Sequence, residues 1–342
     1  MRKIKLCHVV CDLTNGGVEA ILLSYFSHMD LSPFDLHLIT YGVTVPACAD
    51  RFRRLGFVIH AITPKRAGLF KSLREMDGVM RAAKFDIVHA HLTEWNALAL
   101  FFAWRHGARM RVSHSHLASV PRGLGARALF CVQKALGKLF ATDWYACGEA
   151  AGRSLFGKRA ARNGRVFVLK NVIDVKRFAP NEAVREQTRK ELGIAQSALC
   201  VGHVGRFLEQ KNHLFLLDAF AALKAKRPDC VLLLAGVGER MGAARDKAQS
   251  LGLQDAVRFL GARDDVHRLM QAMDVFVLPS LYEGFPVCTL EAQAAGLPCL
   301  MADTVTPAAK LRPNAAFFPL RSEAGAWADA ILKTAGLPRE RG

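Results

Sequence analysis

The stretch DVFVLPSLYEGFPVCTLEAQAAGLPCL (residues 274–300) contains two apolar runs separated by a Gly/Pro-rich turn and an amphipathic segment. The runs at 274–278 and 297–301 have the length and composition of buried strands, and 287–295 has the pattern of a helix. Pro286 suits the first position of that helix. Two strands joined through a helix are parallel, so this stretch predicts an α/β fold.

The same alternation extends over the whole chain of 342 residues. We predict two series of strands, at 4–10, 35–40, 86–90, 109–113 and 142–146, and at 198–204, 230–235, 256–260, 274–278 and 297–301. Helices are predicted between them, including 18–29, 68–84, 93–106, 121–140, 211–226, 239–251 and 287–295. Two series predict two Rossmann-like domains, residues 1–172 and 173–342, with the polar stretch 171–194 as their connection.

Ligands of open parallel sheets bind beyond the carboxyl ends of the strands, so the loops there are the ones to examine. The first, CDLTNGGVEA (11–20), closes a strand and opens a helix. Gly16 and Gly17 allow a ligand to approach the backbone, and the helix start suits a phosphate. An ordinary tight turn is the alternative, and the absence of GxGxxG argues against a nicotinamide or flavin site.

Histidines follow two predicted strands of the first domain. His114 and His116 lie in RVSHSHLASV, and His91 and Glu94 lie in HAHLTEWN. Packing is the usual role of a single histidine, but two at i and i+2 in this position favour a site. Because no nearby cysteine or aspartate completes a ligand set, we expect hydrogen bonding and no bound metal.

In the second domain, VGHVGRFLEQKNH (201–213) places Arg206 and Lys211 just past a strand. A guanidinium and an ammonium there are suited to a diphosphate, although a solvated surface position is the alternative.

The loop and helix of the opening stretch carry Glu283 and Glu291. The amides of Val287, Cys288 and Thr289 begin the helix and predict an anion site. Carboxylates accept hydrogen bonds from sugar hydroxyls, so the set fits a nucleoside-diphosphate sugar, with a hexose and a ribose at its two ends. A solvated helix glutamate is the alternative for either residue alone.

Several segments together resemble the family-4 retaining glycosyltransferases of the GT-B fold. They are NGGVE (15–19), SHSH (113–116), KNVIDVKRF (170–178), VGHVGRFLEQKNH (201–213), LLLAGVGE (232–239) and the run from 259 to 298, in which Glu283 and Glu291 form an E-x7-E pattern. The resemblance covers nearly the whole chain and is densest over 198–303. Bacterial capsule and exopolysaccharide transferases are the most similar members.

The resemblance implies two Rossmann-like domains whose parallel sheets face across a cleft, with the acceptor bound by the first and the donor by the second. It implies that Gly16 and Gly17 approach the donor phosphates, that Arg206 and Lys211 hold and stabilise the leaving diphosphate, and that His114 contacts the donor sugar. Glu283 would hold sugar hydroxyls and Glu291 the ribose. Gly284, Phe285, Val287 and Cys288 complete the implied donor site, and His91, Glu94 and His116 would lie near the acceptor or sugar. Such enzymes use a nucleotide sugar, here expected to be a UDP-sugar, and need no metal or other cofactor.

Two departures from the family pattern keep other functions open. Ala308 stands where relatives often carry a glutamate, and the sequence ends soon after its last predicted helix, where relatives usually add one more. A sugar-nucleotide epimerase and a degenerate, non-catalytic scaffold are therefore the alternatives to a transferase that acts on a lipid-linked saccharide.

Charge is concentrated in the first half of the chain. Residues 1–170 contain 25 lysines and arginines against 11 acidic residues, whereas residues 171–342 contain 22 against 19. The helix predicted at 121–140 has a basic stripe (Arg127, Lys134, Lys138) and an apolar one (Leu129, Val132, Leu136, Phe140). A core-facing helix with a solvated basic side is one interpretation; an anionic membrane surface as partner is the other.

Other classes of partner and location are disfavoured. The basic residues lack interleaved aromatics or a reader motif, so we expect no nucleic-acid partner. We find neither a signal peptide nor a membrane-spanning run, which predicts a cytoplasmic protein at the inner face of the membrane. The nine cysteines are expected to be reduced core residues.

Overall fold

A computed structural model describes residues 2–117 and 123–340, without the side chain of Glu94. The chain divides into two compact units, Met1–Val172 and Ile173–Gly342. Each unit is built on one sheet whose strands all pair in parallel.

Over its described residues, the first unit has seven strands in the order β3-β2-β1-β4-β5-β6-β7. The strands are β1 (Ile4–Val10), β2 (Phe34–Thr40), β3 (Val58–Ala61), β4 (Ile87–Ala90), β5 (Met110–Ser115), β6 (Asp143–Ala146) and β7 (Val166–Val168). The helices are α1 (Gly17–Phe26), α2 (Pro46–Arg54), α3 (Leu69–Ala83), α4 (Asn96–Arg105), α5 (Leu124–Phe140), α6 (Glu149–Phe156) and α7 (Lys158–Arg162). Neighbouring residues of β1 face opposite sides, so Cys7 and Val9 belong to one core and Leu6 and Val10 to another.

The second unit has six strands in the order β10-β9-β8-β11-β12-β13. They are β8 (Leu199–Val204), β9 (Cys230–Ala235), β10 (Val257–Gly261), β11 (Val275–Leu278), β12 (Cys299–Ala302) and β13 (Ala315–Phe318). The helices are α8 (Val175–Phe178), α9 (Glu182–Glu191), α10 (His213–Lys226), α11 (Met241–Ser250), α12 (Val266–Ala272), α13 (Val287–Ala294) and α14 (Ala324–Ala335). Both units therefore have the strand order of a Rossmann fold, which reverses between β1 and β4 and between β8 and β11.

The stretch 171–194 differs from the polar connection that we predicted. From Ile173 onward it belongs to the second unit, and it contains α8 and α9. Arg189 of α9 is fully buried and donates to the carbonyl of Ala272 at 3.1 Å and to Asp274 at 3.3 Å. The polar sequence predicted an exposed connection, but α9 packs against the unit because its charged side chains find partners there.

The core-facing interpretation of α5 predicts that its apolar stripe is buried, but most of that stripe is exposed. Leu129 and Val132 are more than half exposed, and Leu124 and Leu139 even more so, whereas Phe130 and Gly137 are buried. Lys134 instead turns toward the body of the unit, where its ammonium donates to the carbonyl of Ser154. Within the described residues, none of the helices combines the length and apolar character needed to cross a membrane.

Candidate active site

Two loops of the second unit meet where its strand order reverses. Hydrogen bonds join the loop after β8 to the loop after β11, among them Leu281 N to Gln210 O at 2.8 Å, Gln210 Nε2 to Tyr282 O at 2.9 Å, and Asn212 Nδ2 to Pro279 O at 3.2 Å. This is the position at which open α/β sheets bind their ligands.

An ion pair connects these loops. Lys211 Nζ lies 2.7 Å from Glu283 Oε1, and Gln210 Nε2 donates to Glu283 Oε2 at 3.1 Å. The side chains of Lys211 and Glu283 are only 15% and 6% exposed. Burial alone would lower the pKa of Lys211, but the charge and hydrogen bond of Glu283 outweigh it, so the pKa rises above 10.5. The two residues were predicted to hold different parts of a ligand, and the structure shows them bound to each other.

The remaining charged residues of the predicted set lie beside this pair. Burial, together with the charges of Glu283 and Glu291 and against that of Lys211, raises the pKa of the Cys288 thiol to about 12. Arg206 is exposed and close enough to act on the Lys211 charge. Lys211, Glu283 and Glu291 thus lie near Cys288 on α13, and Arg206 lies near Lys211.

The start of α13 differs in one respect from the prediction. Pro286 is its N-cap and the first turn contains no acidic residue, which leaves the positive end of the helix without a carboxylate of its own. The prediction of a free amide is wrong for Thr289, whose N–H donates to the carbonyl of Pro286 at 3.2 Å. For Val287 and Cys288, and for the preceding Gly284 and Phe285, a role in binding stays a prediction.

Two glycines bring a third loop against the Arg206 segment. Gly236 and Gly238 have φ angles of +142° and +159°, and a Cβ on them would lie 2.0 Å from Gly205 O and 2.5 Å from Phe207 O. Only glycine permits so close a backbone approach. The two glycines are visible in the sequence LLLAGVGE, but only the structure shows that they let this loop pack against the backbone beside Arg206.

In the first unit, a carboxylate of the chain itself lies at the start of α1. The backbone N–H of Gly16 donates to the Glu19 carboxylate, and Glu19 is buried. A negative charge therefore already lies at the helix end where we expected a phosphate. The predicted approach of a ligand to Gly16 and Gly17 gains no support from this helix end and stays a prediction.

The predicted histidines of the first unit lie together with two that sequence reasoning missed. His91 Nδ1 is 2.8 Å from His116 Nε2, and His91 Nε2 is 2.9 Å from His8 Nδ1. His114 Nδ1 is 3.0 Å from His89 Nε2. Glu94, predicted beside them, has a side chain that lies outside what the structure describes.

This cluster corrects the argument that metal ligands are lacking. One nitrogen from each of His91, His114 and His116 lies within 4.8 Å of the others, and the same holds for His8, His89 and His91. Burial lowers the pKa of His8 to about 3 and of His116 to about 4, and lowers that of the other three well below 6.5. The imidazoles are neutral at pH 7, and so able to bind a cation or accept hydrogen bonds.

Comparison with known proteins identifies the family. The sequence profile described as Glycosyl transferases group 1 matches residues 184–336. EpsF of Bacillus subtilis (strain 168), to which glycosyltransferase activity is ascribed, is 36% identical over 88% of this chain and 80% of its own length. The Escherichia coli UDP-Gal:alpha-D-GlcNAc-diphosphoundecaprenol alpha-1,3-galactosyltransferase is 28% identical over the same shares.

A solved structure supports the same fold. Anabaena Alr3699/HepE, in complex with UDP and glucose, superposes with a TM-score of 0.80 at 21% identity, covering 97% of this chain and 90% of its own. Together with the two parallel sheets of Rossmann strand order, these similarities confirm the predicted GT-B class. The chain is a glycosyltransferase and belongs to the group 1 glycosyl transferases.

Proposed function

We propose that the chain transfers a hexose from a UDP-sugar to a lipid-linked saccharide during synthesis of a surface polysaccharide such as capsule, exopolysaccharide or lipopolysaccharide. The Escherichia coli relative is named for a UDP-sugar donor and a diphosphoundecaprenol-linked acceptor. The HepE structure contains UDP and glucose. Both similarities support this donor class, and the Escherichia coli relative supports this kind of acceptor.

The observation that carries the proposal is the grouping of Arg206, Lys211, Glu283 and Glu291 at the strand-order reversal of the second unit. A diphosphate needs positive donors, and its two sugars need hydroxyl acceptors. Two cations, a helix start and two carboxylates supply both in one place. We assign donor binding to residues 173–342 and acceptor binding to residues 1–172.

The Lys211–Glu283 pair can serve this donor without breaking. An ammonium has three N–H donors, and Glu283 takes one of them, so two remain for phosphate oxygens. A carboxylate has about four acceptor positions, of which Lys211 and Gln210 occupy two. Glu283 can therefore also accept from hydroxyls of the sugar, while the pair fixes the orientation of both groups.

Arg206 is proposed to stabilise the diphosphate as it departs. It is exposed beside the buried pair, so its planar guanidinium can reach two phosphate oxygens at once. Positive charge aimed at the developing negative charge lowers the barrier, and this chemistry uses no metal ion. Glu291 is proposed to accept from the ribose hydroxyls, and transfer is proposed to retain the anomeric configuration.

The first unit would supply the groups nearest the sugar. His114 is 2% exposed and its Nε2 has no hydrogen-bond partner in the part of the chain that the structure describes, so this atom can bind a sugar hydroxyl. His91 and His116 are proposed to lie near the sugar or acceptor, and Gly16 and Gly17 near the phosphates.

We further propose that α5 rests on an anionic membrane, which would place the enzyme at the inner face of the cell membrane. Its exposed leucines provide apolar surface, and the first half of the chain carries a surplus of 14 positive charges. Apolar insertion and electrostatic attraction together bind amphipathic helices to such surfaces.

Radiolabelled UDP-sugars, supplied with a bacterial lipid extract, test the transfer. Arg206→Ala should lower kcat by about 10²–10³-fold, as expected for one lost stabilising donor. Glu291→Ala should mainly raise KM, by about 10–100-fold, because a charged hydrogen bond contributes roughly 1.5–3 kcal/mol. Arg227→Ala and Glu186→Ala, which change exposed charges elsewhere in the second unit, should keep the parent rate.

The same assay separates the alternatives. Consumption of the UDP-sugar without lipid extract would indicate an epimerase, and nucleotide binding without any turnover would indicate a scaffold. Parent activity in both Arg206→Ala and Glu291→Ala would contradict the proposed donor site.

A further inference from the structure

Five histidines of the first unit share one face of its sheet. His8 of β1 is in register with His89 of β4, and His91 and His116 follow His89 and His114 at i+2. Residues two apart on a strand point to the same side, and β1, β4 and β5 are neighbours in the sheet. The fold therefore stacks these rings: the centroids of His114 and His116 are 4.1 Å apart and those of His89 and His91 4.2 Å.

The hydrogen bonds divide the five rings into an inner set and an outer set. His91, His114 and His116 each have a nitrogen within 4.8 Å of the other two. His8 Nδ1 lies 2.9 Å from the Nε2 of His91, and His89 Nε2 lies 3.0 Å from the Nδ1 of His114. Two of the three inner rings thus have one nitrogen held by an outer ring and the other directed elsewhere.

The nitrogens directed elsewhere include an unsatisfied one. Among the described residues, His114 Nε2 is buried without a hydrogen-bond partner, and His114 is 2% exposed. A buried polar atom without a partner is unfavourable, and a bound water or ion is one explanation for it. In the other two rings of the set, His91 Nδ1 and His116 Nε2 lie 2.8 Å apart.

We propose that His91 Nδ1, His114 Nε2 and His116 Nε2 form a binding site for one divalent cation of the zinc class. Imidazole nitrogen suits Zn²⁺, Co²⁺, Ni²⁺ and Cu²⁺, and three histidines with an open fourth position are a known zinc arrangement. Zn–N bonds of about 2.0–2.1 Å place neighbouring ligand atoms roughly 3.3 Å apart, so the His91–His116 contact widens by about 0.5 Å.

The outer histidines complete the site because they fix the required tautomers. If Nδ1 of His91 binds the ion, Nε2 carries the proton and donates a hydrogen bond to His8 Nδ1. If Nε2 of His114 binds the ion, Nδ1 carries the proton and donates to His89 Nε2. Ligating histidines normally donate their other N–H in this way, and here the partners are already in place.

The ion would interfere with the role proposed for His114. A ligated Nε2 cannot accept from or donate to a sugar hydroxyl, so Zn²⁺ should inhibit transfer. Only this consequence depends on the proposed function; cation binding itself depends on the first unit alone.

Calorimetric titration of the metal-stripped full chain with ZnCl₂ tests the site. We expect one equivalent of Zn²⁺, with His116→Ala weakening binding at least 10-fold; His116 is half-buried, so its removal should leave the fold intact. His8→Phe removes a partner of His91 and should weaken binding about 10–100-fold. Co²⁺ in place of Zn²⁺ should give the intense visible absorption of a four-coordinate ion.

Two control variants distinguish this site from adventitious binding. His60→Gln breaks another histidine pair, His37 Nδ1 to His60 Nε2 at 3.0 Å, and His28→Ala removes an exposed histidine. Both should bind Zn²⁺ like the parent. No stoichiometric binding, or binding that His116→Ala and His8→Phe leave unchanged, would overturn the proposal whatever the transfer assay shows.

Discussion

Lys211 and Glu283 are 72 positions apart in the chain, yet their side chains form a largely buried ion pair in the candidate donor site. A cation and an amide both donate hydrogen bonds to this enclosed carboxylate. The same enclosure makes each partner costly to lose, since the survivor would remain charged in a poorly hydrated place.

Removing one partner should therefore destabilise the second unit. Lys211→Met is expected to lower the free energy of unfolding by about 3 kcal/mol, the usual cost of leaving a buried charge unpaired. Glu283→Gln should also destabilise, and the double variant should lose less than the sum, by about 1–3 kcal/mol. Urea unfolding of the three variants measures this coupling.

The exposed pair Lys226–Asp329 provides the matched control. Its side chains are 43% and 64% exposed, so Lys226→Met should cost less than about 1 kcal/mol. Equal losses for Lys211→Met and Lys226→Met would show that burial does not strengthen the pair.

Individual site residues were partly predictable from the sequence. Arg206, Lys211 and Glu283 follow apolar runs, and the rule on strand ends pointed to their loops, whereas Glu291 lies on helix α13. The His8 and His89 contributions could not be predicted, because they depend on which strands are neighbours and on their register. The hydrogen bond from the Thr289 N–H to the Pro286 carbonyl was also missed, because it depends on the local backbone conformation.

At the scale of elements, the missed strands share one property. β3, β7 and β13 lie at sheet edges, and only one of their sides pairs with a neighbouring strand. β3 has no fully buried residue, and His60 interrupts its short apolar sequence. Interior strands such as β8 and β11 are buried on both faces, and their continuous apolar runs made them predictable.

Helix α5 allows a test of the proposed membrane contact. Leu124 and Leu139 are 88% and 70% exposed. Replacing both with asparagine should lower binding to vesicles containing anionic lipid at least about 10-fold, because each buried leucine contributes on the order of 1 kcal/mol. Vesicle co-sedimentation measures this binding.

Salt and a leucine elsewhere serve as controls for α5. High salt should weaken the binding, since electrostatic attraction is screened, and neutral vesicles should bind less than anionic ones. Leu311→Asn changes a leucine of the second unit that is 58% exposed and should bind like the parent. Equal binding to neutral and anionic vesicles would contradict the proposed surface.

For the whole molecule, acid stability should depend on histidines that are buried and neutral. In the second unit, burial lowers the pKa of His203 to about 4 and of His213 to about 2. His203 Nδ1 lies 2.8 Å from the carbonyl of Val277, and His213 stacks on Phe207 with ring centroids 4.0 Å apart. These rings bind protons in the unfolded chain below about pH 6.5 but remain neutral in the fold.

Stability should consequently fall as the pH drops below about 6.5. The unfolded state binds more protons there, so each of these histidines removes about 1.4 kcal/mol per pH unit, or roughly 2 kcal/mol at pH 5. Thermal unfolding between pH 7 and 5 measures this loss. His213→Phe should show a smaller decline in Tm than the parent, and an identical decline would contradict the assignment.

The two-unit organisation was largely readable from the sequence, because two series of strands and helices are separated by a change in pattern. The chain crosses from one unit to the next at residues 172 and 173. The sequence did not reveal that the polar stretch after that point folds onto the second unit, since its charges are satisfied by partners such as Asp274 that lie far along the chain.

The exposed face of α5 carries a cysteine that can be labelled. Of the nine cysteines, Cys11 and Cys131 are exposed, and Cys131 lies on α5 next to Val132. With Cys11 changed to serine, a thiol-reactive fluorophore would attach almost exclusively to this helix. Its emission colour would then report directly whether that patch of the protein is in water or among acyl chains.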